Sequence, residues 1–289
     1  MFLPNHTFKT APIAIYDSGV GGLSITRRLK ELLPNESVHY IADTKNLPYG
    51  NKTTTELCSY VKSVVHFCLS KEYKLLVIAC NTATAAANLF LASYLKKLNK
   101  PINIIDVVDP VVAYIIKKKA HKKIALIGTE YTVSSGIYEK QFKETNTTLF
   151  PVATPLLAPM VESLFCAGEI DKTLIKNYLS QLPAQNMDAL IPGCTHYVFI
   201  EKELKRLLQD HYQKEIEVID VAWLTALTVE KFLTANGLSN NMTQKFPDCF
   251  MATELTPSFT QASKQLFGKI ALEIDLDACS KLEDLAFAL

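Results

Sequence analysis

The sequence has no long hydrophobic run. No stretch approaches the roughly 18 uninterrupted apolar residues of a membrane-spanning helix, since polar side chains interrupt even residues 75–92. The first residues also lack the charged segment followed by an apolar one that marks a secretory signal. We therefore expect a cytoplasmic protein that does not bind a membrane.

An excess of charge of one sign is also missing. Lysine and arginine number 30 and aspartate and glutamate 29, so no summed field attracts nucleic acid or an acidic membrane surface. With 289 residues, 48% of them hydrophobic, the chain can build one large domain or two ordinary ones. We expect no nucleic-acid partner, and any ligand must be recognised at a local site.

The cysteines do not form the pattern of a disulfide framework. They number seven, an odd count, and are scattered along a chain far longer than a disulfide-stapled module. Reduced thiols are therefore expected, and for a single cysteine the default interpretation is a small buried hydrophobic residue. That interpretation is kept for five of them: Cys58, Cys68, Cys166, Cys249 and Cys279.

Short β-rich runs alternate with longer helical patterns, which predicts parallel α/β architecture. The predicted strands are residues 13–16, 38–41, 75–79, 102–106, 124–127, 149–153, 189–192 and 217–220. The predicted helices are residues 24–33, 54–69, 82–98, 134–143, 174–182, 199–209 and 222–233.

The two halves of the chain resemble each other. The run IAIYDSGVGG at Ile13 has a counterpart in IALIGTEYTVSSG, 111 residues later. Cys80-Asn-Thr corresponds to Cys194-Thr-His, and the IID that ends at Asp106 corresponds to the VID that ends at Asp220, each 114 residues later. Because strands of α/β proteins often end in small or polar residues, such matches also arise by chance. Three landmarks at nearly one offset favour an internal duplication.

A duplication predicts two pseudo-symmetric parallel-sheet α/β lobes that face a shared cleft. Ligands of open α/β sheets bind at the carboxyl ends of the strands, so those ends should line the cleft. We assign residues 11–103 and 217–289 to the first lobe and residues 104–216 to the second.

Cys80 follows a buried strand and precedes an alanine-rich helix. The helix N-terminus favours a thiolate and also suits a bound carboxylate. Asn81 and Thr82 are either helix caps or donors to that carboxylate, and the two roles are compatible. Cys194 repeats this layout, with His196 two residues beyond.

A lone cysteine or histidine is more often structural than catalytic, so the pairing of equivalent positions carries the prediction. Two thiols that face each other across a cleft suit a reaction that removes a proton from one face of a carbon and returns one to the other. Racemisation of an amino acid is such a reaction, and it needs a desolvated, aligned base.

Polar residues follow other strands. Asp17 and Ser18 begin the turn DSGVGG, which lacks both the G-x-G-x-x-G spacing and the lysine of nucleotide-binding loops. Asp17 could orient an ammonium group, hold the proton of a thiol, or only form the turn. Pro48-Tyr49-Gly50 offers backbone donors to an anion. Glu162 is either a solvated residue or a partner for His196.

Six segments resemble the signature blocks of bacterial glutamate racemases, in their usual order: IAIYDSGVGGLSI, DTKNLPYG, IACNTATA, IGTEYTVSSGIY, ATPLLAPMVES and PGCTHY. The resemblance spans about residues 13–220 and continues weakly through TELTPSFTQASKQLFG. Val198 stands where the family usually has proline. The resemblance implies interconversion of L- and D-glutamate without pyridoxal phosphate or metal, supply of D-glutamate for peptidoglycan, and a homodimer.

The same resemblance implies roles for individual residues. Cys80 and Cys194 exchange the proton, Asp17 assists Cys80, and Glu162 and His196 assist Cys194. The remaining implied substrate contacts are Ser18, Pro48, Tyr49, Gly50, Asn81, Thr82, Thr129 and Thr195.

Three alternatives remain at this point. Aspartate racemases share the fold and the paired cysteines, so the preference for glutamate rests on His196 and on the Pro-Tyr-Gly block. The chain could also be a nonenzymatic amino-acid-binding module. A zinc site from Cys80, Cys194 and His196 is weakly indicated, because structural zinc usually takes four ligands with closely spaced pairs.

Overall fold

The computed structural model describes residues 9–98, 102–118, 122–183, 187–241 and 246–268. Cys279 and most of the N-terminal extension lie outside these residues. No helix in the described ranges is both long enough and apolar enough to cross a membrane.

The described residues contain nine strands, which are β1 (Ile13–Asp17), β2 (Val38–Ala42), β3 (Leu75–Ile78), β4 (Ile104–Asp106), β5 (Lys123–Gly128), β6 (Thr148–Ala153), β7 (Ala189–Gly193), β8 (Glu217–Val218) and β9 (Cys249–Ala252). Strands β1, β3 and β7 are buried along their whole length, as expected for parallel strands that are covered on both faces.

The α-helices of the same ranges are α1 (Leu23–Leu32), α2 (Thr54–Ser70), α3 (Asn81–Ala87), α4 (Leu91–Leu98), α5 (Asp109–Lys118), α6 (Glu130–Ser134), α7 (Ile137–Phe142), α8 (Leu157–Ala167), α9 (Lys172–Leu179), α10 (Glu201–Tyr212), α11 (Val221–Ala235) and α12 (Pro257–Phe267). Short 3₁₀ helices span Thr44–Asn46, Tyr49–Asn51 and Thr195–Ile200.

Both sheets are parallel and share one strand order. The first sheet runs β4-β3-β1-β2-β9 and the second runs β6-β5-β7-β8. Read from the other edge, the second order is β8-β7-β5-β6, which matches β4-β3-β1-β2 strand for strand. The predicted fold of two pseudo-symmetric parallel-sheet α/β lobes is confirmed.

Two short strands fall on the other side of the boundaries expected from the sequence. Strand β4 was assigned to the second lobe but pairs with β3 in the first sheet. Strand β8 was assigned to the first lobe but pairs with β7 in the second sheet. The hydrogen-bonded ladders therefore continue a few residues past positions 103 and 216, and the division into lobes at those positions stays a prediction.

The elements nearest the C-terminus join the two lobes. Strand β9, which the sequence pattern does not predict, extends the first sheet by pairing with β2. Helix α12 contacts α8 of the second lobe and α1 of the first. The helix predicted over residues 82–98 is instead two helices, because Leu89 and Phe90 bond three residues back, to Ala86 and Ala87, and tighten the turn between them.

Candidate active site

The site lies where equivalent strands of the two sheets end. In the first sheet, Tyr16 of β1 is paired with Ile78 of β3, so the chain places Ser18 beside Cys80. The Ser18 Oγ to Cys80 Sγ distance is 3.7 Å. In the second sheet, Gly128 is paired with Gly193, which places the next residues, Thr129 and Cys194, side by side. Each cysteine therefore lies beside a hydroxyl-bearing residue that follows the adjacent strand.

Both thiols line a single cavity of about 790 Å³ between the lobes. Cys80 and Cys194 are 6% and 7% exposed, so each sulfur is largely shielded from bulk water. The cavity is lined by every residue expected from the sequence except Asp17, namely Ser18, Pro48, Tyr49, Gly50, Cys80, Asn81, Thr82, Thr129, Glu162, Cys194, Thr195 and His196.

Cys80 lies at the N-terminus of helix α3, as expected from the sequence, but Cys80 is itself the cap, and Asn81 and Thr82, the expected caps, form the first turn. The Cys80 Sγ accepts the backbone N–H of Ala83 at 3.5 Å. Burial and the charge of Asp17 nevertheless raise the pKa of the Cys80 thiol to about 12, against the opposing effect of the Ala83 N–H and the Ser18 hydroxyl. The expectation that the helix end favours a thiolate is outweighed here, and Cys80 is a neutral thiol at physiological pH.

Cys194 has a different environment. It precedes the 3₁₀ helix Thr195–Ile200, and its side chain makes no capping bond. Its Sγ lies 3.6 Å from His196 Nδ1, and His196 Nε2 lies 2.7 Å from Glu162 Oε1. Burial opposes protonation of His196, but the charges of Cys194 and Glu162 outweigh it and raise the pKa of the imidazole well above its usual value. The second thiol is therefore paired with an imidazolium that a carboxylate supports.

Glu162 is held on both sides of the cleft. It lies in α8 of the second lobe, yet its Oε1 accepts the backbone N–H of Val20, in the first lobe, at 3.3 Å. Burial raises the pKa of the Glu162 carboxyl, but hydrogen bonds and the charge of His196 lower it below the usual value overall. Glu162 is thus ionised at neutral pH, as a partner of an imidazolium must be.

Asp17 lies behind the cavity wall rather than on it. The side chain is fully buried. Its Oδ1 accepts the Gly19 N–H at 2.8 Å, and its Oδ2 accepts the Thr195 hydroxyl at 3.0 Å. Asp17 therefore acts on Cys80 through its charge and fixes Thr195 across the cleft.

Further hydrogen bonds join the lobes around the cavity. Thr82 and Thr129 share a hydrogen bond of 2.9 Å, and Thr129 donates to Thr132 at 3.0 Å. The Asn81 amide donates to the Tyr138 hydroxyl at 2.9 Å, and Asn81 Oδ1 has no partner within the described part of the chain. Side chains of the cavity wall are thus held by groups from the opposite half.

The Tyr49 hydroxyl is already engaged in hydrogen bonds within the first lobe. It donates to Asp43 Oδ2 and shares a second hydrogen bond with the Tyr16 hydroxyl. The side chain is 2% exposed. The hydroxyl is therefore occupied inside the first lobe, which leaves the backbone of the Pro-Tyr-Gly block as the part that can meet an anion.

Several residues of the site were not anticipated from the sequence. Thr132 and Tyr138 come from the segment IGTEYTVSSGIY, where only Thr129 was selected. Cys166 lines the cavity although it was grouped with the structural cysteines. Pro257 and Ser258 reach the cavity from α12, and the only signal for them was the weak resemblance of the TELTPSFTQASKQLFG segment.

The zinc alternative finds no support in the arrangement of possible ligands. Across the residues that the structure describes, no three or more histidine, cysteine, aspartate or glutamate side chains are grouped so as to hold a metal ion. Cys80, Cys194 and His196 therefore do not form a ligand set.

The fold and the site together define a two-lobed parallel α/β protein, with a buried thiol from the same strand position of each half at one cavity. A model of the Asp/Glu/Hydantoin racemase family matches residues 19–229. The chain belongs to this family.

Known proteins similar to this chain have the same size and fold. The glutamate racemase of Aquifex pyrophilus is 33% identical over 259 residues, which cover 89% of this chain and 94% of the relative. The crystal structure of the glutamate racemase isoform RacE1 from Bacillus anthracis has a TM-score of 0.81 at 31% identity, covering 92% of this chain and 97% of that one. The Francisella tularensis glutamate racemase in complex with D-glutamate has a TM-score of 0.80 at 28% identity, covering 93% and 99%.

Proposed function

We propose that this protein interconverts L- and D-glutamate by moving the Cα proton between Cys80 and Cys194. The observation that carries the proposal is the presence of one buried thiol from each half of the duplicated fold at the same cavity. Glutamate is suggested as substrate by the relatives, among them the Francisella tularensis glutamate racemase in complex with D-glutamate.

In this mechanism one sulfur removes the Cα proton as a thiolate while the other donates its own proton to the opposite face of the carbon. The configuration inverts, and the two sulfurs have exchanged protonation states. The high pKa of Cys80 suits the donor, and the His196 imidazolium suits a thiolate at Cys194. In the reverse direction the roles are exchanged. The low exposure of both sulfurs limits proton exchange with water during the transfer.

The charges of glutamate set what the cavity must supply. Its ammonium group needs acceptors and its two carboxylates need donors. The Ser18 hydroxyl can donate to a carboxylate, and the unpartnered Oδ1 of Asn81 suits the ammonium. The hydroxyls of Thr82, Thr129 and Thr195 can donate to the carboxylates only by turning away from the hydrogen bonds described above. Pro48, Tyr49 and Gly50 supply backbone groups at the cavity wall. We assign no cofactor or metal to the reaction.

The wider role follows from the same proposal. D-glutamate made by this reaction would supply peptidoglycan synthesis. We further propose a homodimer, on the basis of the family resemblance, and a cytoplasmic location, as expected in the sequence analysis.

The experiment is a racemisation assay with purified protein and either enantiomer of glutamate, followed by optical rotation. Cys80→Ala and Cys194→Ala should each abolish racemisation, because each direction needs one base and one acid. Cys58→Ala is the matched control, since Cys58 is half-buried outside the cavity and should leave the rate unchanged. Wild-type activity in the presence of a chelator is expected to be undiminished.

Three outcomes would contradict the proposal. Full activity in either cysteine variant would refute the two-thiol mechanism. Faster turnover of aspartate than of glutamate would make the chain an aspartate racemase. Glutamate binding without any exchange of solvent deuterium into Cα would identify a binding module.

A further inference from the structure

The glycines of the turn DSGVGG have no role in the mechanism above, yet Gly19 and Gly21 lie directly against residues of the opposite lobe, among them Glu162. A Cβ atom built on Gly19 would lie 2.5 Å from Glu162 Oε1. A Cβ atom on Gly21 would lie 2.2 Å from Thr195 Oγ1. Contacts this close are possible only because both positions lack a side chain.

The turn also supplies a hydrogen bond to the same carboxylate. The backbone N–H of Val20, between the two glycines, donates to Glu162 Oε1 at 3.3 Å. That oxygen is the one that lies 2.7 Å from His196 Nε2. Glu162 and His196 belong to the second lobe and the turn belongs to the first, so this contact exists only while the lobes are together.

We propose that Gly19 is a positioning residue for the Glu162–His196 pair, and that the first lobe thereby completes the acid–base partner of Cys194 across the cleft. The inference rests on the proposed racemisation. Absence of a side chain at position 19 lets Glu162 reach both the Val20 N–H and the imidazole. If the lobes separate, Glu162 loses the Val20 donor, and the support for a charged His196 weakens.

Gly19→Ala tests this contact selectively. The new methyl group would meet Glu162 Oε1 and, less closely at 3.2 Å, Leu47 Cδ1, both at the far ends of flexible side chains, so Glu162 can move aside without unfolding the protein. We expect kcat to fall about tenfold or more, in line with the loss of a charge-assisted hydrogen bond. The limb of the pH profile that reports deprotonation of His196 should move to lower pH, because the carboxylate that raises its pKa has been displaced.

Gly237→Ala is the matched control for a glycine-to-alanine change. Gly237 has a positive φ of 64° and no atom within 4 Å of a built Cβ, and it does not line the cavity. This variant should lower the melting temperature but keep the wild-type kcat and pH profile. The same kcat and pH profile in Gly19→Ala as in Gly237→Ala would overturn the inference.

A double-mutant cycle separates positioning from a general structural effect. In a Glu162→Gln background, Gly19→Ala should cost less than about twofold in kcat, because the group it displaces is already uncharged. A full additional loss would overturn the inference.

Titration of the His196 ring signals by NMR needs no turnover and therefore distinguishes the two proposals. Lack of activity in the wild type would refute the proposed function. An unchanged His196 pKa in Gly19→Ala, in folded protein, would refute the positioning role alone.

Discussion

Replacing His196 with asparagine removes the group that joins Cys194 to Glu162. The imidazole bridges the two, with Nδ1 3.6 Å from the Cys194 sulfur and Nε2 2.7 Å from the Glu162 carboxylate. Asparagine is shorter and carries no charge, so it cannot reach both partners or stabilise a thiolate. A buried Glu162 would also lose its counter-charge.

The size of the effect follows from one charge-assisted contact. A hydrogen bond to a charged group contributes about 1.5–3 kcal/mol. Only the contact to Cys194 changes strength as the proton moves, so one such contribution is lost in the transition state, equivalent to about 10- to 150-fold in kcat/KM. Because the two enantiomers of glutamate have equal free energies, kcat/KM must fall by the same factor in both directions.

The assay is the initial change of optical rotation from L- and from D-glutamate. His211→Asn is the control, since His211 is exposed in the last turn of α10 and does not line the cavity. Circular dichroism establishes that both variants are folded. Wild-type kcat/KM in His196→Asn would refute the role given to the imidazolium.

Further predictions concern stability. The pKa of His196 is raised in the folded protein, so protonation of His196 stabilises the fold fully below about pH 6.5, and this stabilisation is lost as pH rises through the folded pKa. The difference in melting temperature between wild type and His196→Asn should therefore shrink in alkaline buffer. Lys74→Met should cost about 3–5 kcal/mol in urea denaturation, because Lys74 and Glu36 form a buried ion pair at 2.5 Å and the carboxylate would remain unpaired. A cost below about 1 kcal/mol would contradict that view. Thr53→Ala, which removes the capping box of α2, should lower the unfolding free energy by about 1 kcal/mol without changing kcat.

Local patterns were sufficient to predict eight of the nine described strands and to select the two thiols. Strand β3 and the residues after it show why, since a run of apolar residues ends in Cys80 and an alanine-rich helix follows. The repeat of that layout at Cys194 paired the two halves, and the common strand order of the two sheets is the structural counterpart of the repeat.

Other features depend on contacts between distant parts of the chain. Strand β9 is only four residues long, and its pairing with β2 spans more than 200 residues, which no local pattern reveals. The raised pKa of the Cys80 thiol comes from burial and from the charge of Asp17 on another strand, and spacing along the chain does not show how far these outweigh the helix end. The contact of Gly19 with Glu162 could not be found from spacing, because it forms only when two lobes meet.

The transfer of the Cα proton between two different sulfurs is tested most directly by racemisation of L-glutamate in deuterium oxide, stopped after a small fraction has reacted. If two thiols act on opposite faces of Cα, D-glutamate should carry deuterium at Cα while the remaining L-glutamate keeps its hydrogen. Equal deuterium in both enantiomers from the first turnovers would indicate a single exchanging base, and would contradict the assignment of Cys80 and Cys194 to the two faces.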